Sequence, residues 1–431
     1  MNDRTGTHTA RSKDFGRDET TMETKSLTVG SSPHAESLKS GRLPVAPPPP
    51  GPVRTPTVLR AWLAEARARG LSDPGGEAAL AGLERAIHDF LEPEQVFVRS
   101  AASGSGALAL ALLTIGPEVL RSGPVLVSAL LPPYVAGVVE ALGGSVVPVD
   151  AGWPDFVPGP EDLAAATRTA APARPAAIVT GTGLGLAPDL AGTLAFAAES
   201  GCLVIEDAAA SLGATDPFGH PAGTQAHFGV FSMAWGKSLS TGEGGLLVTP
   251  SRALFRELDR IAPRPLPGFL ERPRAHAPLG ALAGRLSSPE AALATALLAD
   301  LPLRIRRRRD VARRIGEAVR LWQGSLDLEI RAFSQEDAAG TSLCAVRFST
   351  KEAACRAATR ADAVHLDFPA LPSCSDPETR PENLLSPGPA TPRALDSHAR
   401  VRLLPWWDSS LASEAEVSRL LGAFAYTLTG R

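Results

Sequence analysis

Lysine is nearly missing from the body of this chain. Of the 43 Lys and Arg among its 431 residues, five are Lys and 38 are Arg. Between Lys39 and Lys351 the sequence holds one lysine, Lys237. Arg therefore serves wherever positive charge alone is needed, and the retained amine points to chemistry a guanidinium cannot perform. Arg stays protonated, whereas a partly buried Lys can lose its proton and attack a carbonyl. Cysteine is scarce as well. Cys202, Cys344, Cys355 and Cys374 are scattered without CxxC or zinc spacing, which excludes a disulfide framework and offers no metal centre. Charge of one sign is not in excess. With a net value of −3, nothing in the overall field draws the chain to nucleic acid or an anionic membrane. No apolar run reaches the roughly 18 residues of a membrane span, and the polar N-terminus has no signal-peptide core. These absences fit a cytoplasmic protein. Two motifs are missing too. No GxSxG elbow supports a Ser-His-Asp hydrolase. Neither the glycines at 104 and 106 nor those at 181, 183 and 185 spell GxGxxG, which disfavours a nicotinamide enzyme.

What is present reads as a globular protein, with 44% hydrophobic residues. The length exceeds one usual core, so two folded parts are expected. Residues 1–54 are poor in large apolar side chains and end in the proline run from Pro44 to Pro52. They read as a disordered tail closed by a polyproline II spacer. Leu59, Trp62, Leu63 and Ala66 share one helix face, and Leu80, Leu83, Ile87 and Phe90 share another. Short apolar runs then recur at Val96–Val98, Val125–Val127, Val146–Val149, Ala177–Val179 and Leu203–Ile205. Helical patterns lie between them, one at Pro188–Ser200, and the runs Val230-Phe231 and Leu246–Val248 flank Lys237. Strands buried on both faces and joined by crossover helices mean an α/β domain with a mainly parallel sheet, placed at 55–270. Residues 271–431 read as a smaller α+β domain. It has a helical region from Pro289 to Trp322 interrupted near Pro302, a strand at Leu343–Phe348, a helix around Ala353–Ala358, a loop over 370–398 and a closing helix at Glu414–Leu428. The Arg304–Arg309 run lies on the first of these helices and reads as a solvated face. His220 and His227 read as loop histidines.

Three features carry chemistry. The strand around Val98 runs into the small-residue loop Ser100–Gly106, and a helix is expected from Ala107. Free N–H groups at a helix N-terminus form a phosphate cradle. The strand Leu203–Ile205 ends in Glu206-Asp207. Such acids either cap the next turn or aim a carboxylate into the cleft at the strand ends, where it could hold a ring nitrogen protonated. Lys237 follows, with Ser232 five residues before it. Phosphate anchor, ring-nitrogen partner and imine-forming amine, in this order, are what pyridoxal phosphate requires.

Val204-Ile205-Glu206-Asp207-Ala208-Ala209, then Ser211-Leu212-Gly213-Ala214, Gly223-Thr224, Phe231-Ser232 with Lys237, and Thr241-Gly242-Glu243-Gly244-Gly245 resemble the DegT/StrS-type sugar-nucleotide aminotransferases. These are fold type I pyridoxal-phosphate enzymes. The resemblance runs from about Leu59 to the C-terminus and is densest between 203 and 249. It implies that Lys237 forms the imine with the cofactor and that Asp207 pairs with the pyridinium nitrogen. Ser232 and the N–H groups of Ser105 and Gly106 would hold the phosphate, with Gly104 in the same cofactor-binding loop. It also implies a homodimer with active sites at the subunit interface. The reaction would move an amino group from glutamate to a keto group on a nucleotide-linked sugar, with Lys237 shuttling protons. Several positions depart from the family pattern. Ala210 stands where Gln or His is usual, Pro132 where an aromatic stacks (with Tyr134 two residues on), Ser238 where Asn follows the lysine, and Ala283-Gly284-Arg285-Leu286 where an Asn precedes Arg-Met. Gly181–Gly185 replaces a His-Leu-Tyr-Gly strand end. These departures set a second reading beside the enzyme, a catalytically silent paralogue acting as a structural or regulatory dimer partner.

Overall fold

The computed structural model describes residues 77–91, 96–152, 156–169, 173–182, 184–262, 284–323, 328–330, 343–364, 391, 393, 401–405 and 414–429. The expected tail at 1–54, the helix at Leu59–Ala66, the domain boundary at 270 and most of the loop over 370–398 lie outside the described residues.

Helix α1 (Glu77–Leu91) buries Leu80, Leu83, Ile87 and Leu91, the spacing of one helix face. Strand β1 (Phe97–Ala101) follows and leads into α2 (Gly104–Ile115). This helix starts one turn earlier than expected, at Gly104 instead of Ala107. Ser103 is extended, and its Oγ accepts the Gly106 N–H at 3.0 Å, so a capping serine sets the boundary where the glycines alone suggested loop. Beyond its first turn α2 is Ala, Leu, Thr and Ile, and most of it is buried. It is a central helix of the core, with no solvated face.

The chain then alternates: α3 (Pro117–Ser122), β2 (Pro124–Ser128), α4 (Pro133–Ala141), β3 (Ser145–Val149), α5 (Pro160–Thr169), β4 (Ala177–Thr180), α6 (Ala191–Ser200) and β5 (Leu203–Asp207). Next come β6 (Phe228–Ser232), β7 (Gly245–Thr249) and α7 (Arg252–Ile261). The seven strands form one sheet in the order β1-β7-β6-β5-β4-β2-β3. β3, β2, β4, β5 and β6 run parallel, and β7 is antiparallel to both β6 and β1. The mainly parallel sheet expected from the continuous apolar runs is therefore present. Strand alternation sorts the core onto two sides. Val125, Val127, Val179 and Ile205 pack against α2 and α4, while Leu126, Ile178 and Val204 pack against α5 and α6. Each such side chain, fully enclosed, contributes roughly 1.5–3 kcal/mol.

The rest of the described chain is α8 (Ser288–Gln323), β8 (Leu328–Ile330), β9 (Leu343–Phe348), α9 (Lys351–Ala363), β10 (Val401–Pro405) and α10 (Glu414–Thr429). α8 packs along α1, where Leu298, Leu301 and Ile305 join Leu80, Leu83 and Ile87 in one cluster. The expected break near Pro302 does not occur, and the helix runs through it. A proline in a helix interior costs about 3 kcal/mol. Pro302 is exposed while Leu301 and Ile305 beside it are buried, and burial on that scale offsets the loss. β8, β9 and β10 form a separate antiparallel sheet. β8 and β10 had no sequence signal: one is three residues long and the other does not alternate. Among the described residues, no helix is long and apolar enough to cross a membrane.

Candidate active site

The parallel strands bring their C-terminal ends to one edge of the sheet, and antiparallel β7 brings its N-terminal end to the same edge. A cavity of about 290 Å³ opens there, at the small end of ligand sites. Gly104 and Ser105 line it from the start of α2, Asp207 from the end of β5 and Ser232 from the end of β6. Lys237 and Glu243 line it from the β6–β7 loop, and Tyr134 from the start of α4. Five of the six site residues chosen from sequence therefore share one cavity. Gly106 is the exception. It does not line the cavity, and its N–H is bonded to Ser103 Oγ.

Local backbone explains the placement. The β5–β6 register pairs Asp207 with Val230, so Asp207, Val230 and Ser232, two residues further along, point to one face. The loop bearing Lys237 is closed at its base by Thr241 N–H to Met233 O (3.0 Å) and by Ser232 Oγ accepting the Ala234 N–H (3.2 Å). Lys237 N–H reaches back to Ala234 O at 3.2 Å, and Gly236 turns the chain with φ 84°. Gly104 is required where α2 meets Ser232: a Cβ there would lie 2.9 Å from Ser232 Cβ.

The electrostatics set an amine against a carboxylate. Burial lowers the Lys237 pKa, and the charge of Asp207 partly restores it. Burial raises the Asp207 pKa, opposed by the Ala209 N–H, which Oδ1 accepts at 3.1 Å, and by Lys237. Lys237 is thus easier to deprotonate than a lysine in water, and Asp207 lies within its field. Ser232 accepts from Ala234 and keeps its own O–H to donate. Half of Tyr134's surface stays open (50%), yet protein crowding its hydroxyl, and then Asp207's charge, push its pKa up. Glu206 points to the other face of β5 and is 1% exposed. Burial pushes its pKa up to about 7. The Gly223 N–H bonds it and holds the value down, and the charges of Asp207 and Asp216 raise it further. Among the described residues its Oε2 has no hydrogen-bond partner.

Sequence reasoning missed Ser103 and Glu243 among the lining residues. A serine directly before a Gly-Ser-Gly helix start was the available signal for the first. Tyr134, noted beside Pro132, is the one of the pair that lines the cavity. The Arg304–Arg309 run is not one solvated face. Arg306 and Arg307 are exposed, but Arg308 is 1% exposed and donates from Nη1 to Ser238 Oγ at 3.2 Å. His227 has a structural role, with Nδ1 accepting the Val204 N–H at 3.1 Å, and His220 meets Asp216 at 2.9 Å.

The donor set suits one cofactor type. Helix N–H groups and a hydroxyl fit a phosphate, the carboxylate fits a cationic ring nitrogen, and the amine fits a carbonyl. The sheet topology is that of the fold type I pyridoxal-phosphate enzymes. The chain belongs to the DegT/DnrJ/EryC1/StrS aminotransferase family, whose model matches residues 71–367. It is 33% identical over 166 residues to L-glutamine:2-deoxy-scyllo-inosose aminotransferase of Streptomyces kanamyceticus, covering 37% of this chain and 36% of that protein. Its matches span 32–36% of the length of the curated relatives. Among solved structures, it resembles a DegT DnrJ EryC1 StrS aminotransferase from Brucella abortus with TM-score 0.72 at 22% identity, covering 87% of this chain and 96% of that one. It resembles DesI, solved in the presence of its TDP-sugar product, with TM-score 0.69 at 19% identity, covering 90% and 93%.

Proposed function

We propose that the protein is an aminotransferase of sugar or antibiotic biosynthesis that moves an amino group, with glutamate as donor, onto the keto group of a nucleotide-linked sugar. The observation that carries this reading is the convergence of Lys237, Asp207 and the start of α2 on one cavity. Bound pyridoxal phosphate would supply an electron sink that acidifies the C–H bond next to the transferred nitrogen. The protein's part is placement. Ser232 and the N–H groups of Gly104 and Ser105 would hold the phosphate. Asp207 would face the ring nitrogen. Lys237, its amine pKa lowered by burial, would lie beside the cofactor's carbonyl and could hold and return a proton. The nucleotide-linked acceptor is suggested by the family and by the TDP-sugar in the DesI structure. A homodimer is part of the same proposal, because Tyr134 lines the cavity and leaves half its surface open, and Trp235 in the same loop as Lys237 is 58% exposed, apolar surface that a second copy would cover. A cytoplasmic setting belongs to it too.

The test starts with purified protein and added pyridoxal phosphate. Uptake should give a near-visible absorption band that borohydride bleaches, leaving the cofactor mass on the peptide containing Lys237. In a separate, unreduced sample, glutamate should discharge the band with release of 2-oxoglutarate, and a nucleotide-linked keto sugar should restore it. L-glutamine and 2-deoxy-scyllo-inosose, named in the Streptomyces relative, are the second donor and acceptor to assay. A Lys237→Arg variant that kept colour and turnover would sink the assignment.

A further inference from the structure

We propose that Arg308 is a positioning residue that aims Lys237 by fixing Ser238. The inference rests on the reading of Lys237 as the amine that takes the cofactor. Arg308 is among the largest fully buried side chains, at 1% exposure. Enclosing a guanidinium carries a desolvation penalty that a Leu or Met of similar bulk would not incur. Packing alone does not account for the residue. Its Nη1 donates to Ser238 Oγ at 3.2 Å across 70 residues of sequence, and Ser238 is itself only 2% exposed. Ser238 is bonded directly to Lys237. On its other side the lysine is set by Gly236 and by its own N–H bond to Ala234 O. The backbone is thus held before and after the one residue whose side chain must reach into the cavity.

The same helix face braces the partner carboxylate. Ile305 lies one turn before Arg308 on α8, and a Cβ on Gly213 would come within 2.3 Å of its Cδ1. Gly213 closes the segment that leaves β5 after Asp207. Ile305 shares a core cluster with Leu212, Met233 and Leu239, which flank the two segments. A single face of α8 thus backs the chain following Asp207 and the chain following Lys237. The planar guanidinium suits this task, because its donors are fixed in direction, whereas an ammonium is a point charge on a flexible stem.

The test compares full-length wild type with Ser238→Ala, Arg308→Lys, Arg308→Met and the Ser238→Ala/Arg308→Met double variant. Three quantities are read: the rate at which apoprotein takes up pyridoxal phosphate, the pH midpoint of the bound-cofactor absorbance, and kcat apart from KM. Misplacing a reacting group by about 1 Å can cost on the order of 100-fold. Ser238→Ala and Arg308→Met should therefore each slow uptake and kcat by about 10- to 100-fold, move the pH midpoint and leave KM for the acceptor within about threefold. The double variant should be no worse than the poorer single one, and Arg308→Lys should recover part of the rate. Should Arg308→Met fail to fold, Ser238→Ala decides alone, since it removes one hydroxyl. Unchanged uptake, midpoint and kcat in Ser238→Ala would overturn the proposal, as would additive losses in the double variant. Wild type that captures no cofactor on Lys237 would instead end the functional reading, and this inference with it.

Discussion

Glu206→Gln isolates one buried proton. The native carboxyl has a pKa of about 7 against an ordinary 4.5, because β5 turns it into the protein while its neighbour faces the cavity. At about 1.4 kcal/mol per tenfold change in proton affinity, that gap corresponds to about 3 kcal/mol against the ionised form in the folded state. The sign follows from which state keeps the proton. Between pH 4.5 and 7 the unfolded chain has released it and the folded chain has not. Native stability therefore falls through that window as pH rises and levels off above it. Gln keeps an oxygen for the Gly223 N–H but has no proton to lose. Urea denaturation of wild type and variant from about pH 4.5 to 8, with the slope checked for constancy, should show the variant gaining about 3 kcal/mol relative to wild type across the window. Most of that gain should lie between pH 5 and 7. Two parallel profiles would mean that Glu206 ionises as freely in the folded protein as in the unfolded one, and the account of its burial would be wrong.

Gly104→Ala should weaken pyridoxal phosphate binding by about tenfold, because its Cβ displaces Ser232 at a cost of about 1–3 kcal/mol; an equilibrium titration of absorbance checks it. Asp207→Asn removes the charge that raises the Lys237 pKa. Competitive acetylation of the apoprotein, read by mass at the Lys237 peptide, should then show this amine reacting at lower pH than in wild type. Pro302→Ala should raise stability by about 1–3 kcal/mol, since it returns a hydrogen-bond donor to an exposed helix position; a shift in urea midpoint with unchanged slope would confirm it.

The sheet was legible because its strands are short apolar runs separated by helical patterns, and strands enclosed on both faces leave that trace. The grouping of the candidate site residues on one cavity was legible because lysine is so rare that Lys237 stood out, and because Asp207 and Ser232 end strands. Ser103 stayed hidden since a cap is a matter of one dihedral pair, and it took the Gly106 N–H that a glycine-rich loop suggested was open. Arg308 stayed hidden for a different reason. Its neighbours Arg306 and Arg307 face water, and nothing local marks which arginine of a run turns inward; that is decided by α1 and the lysine loop packing on α8. Pro302 misled because proline ends helices when little else holds them, and here the buried residues on both sides do. β8 is too short to show any period.

Asp207 and Ser232 hang from adjacent strands joined by main-chain hydrogen bonds, in a register where Asp207 sits beside Val230. The separation of acid and hydroxyl is thus set by the pitch of the sheet, about 4.8 Å sideways and about 6.6 Å lengthwise, and is insensitive to side-chain mutation around it. Tyr134, Trp235 and Glu243 sit instead at helix starts and in a loop, where drift is cheap. Diversification of acceptor substrates in this lineage should accumulate in that second group, with the gauge between the two strands left untouched.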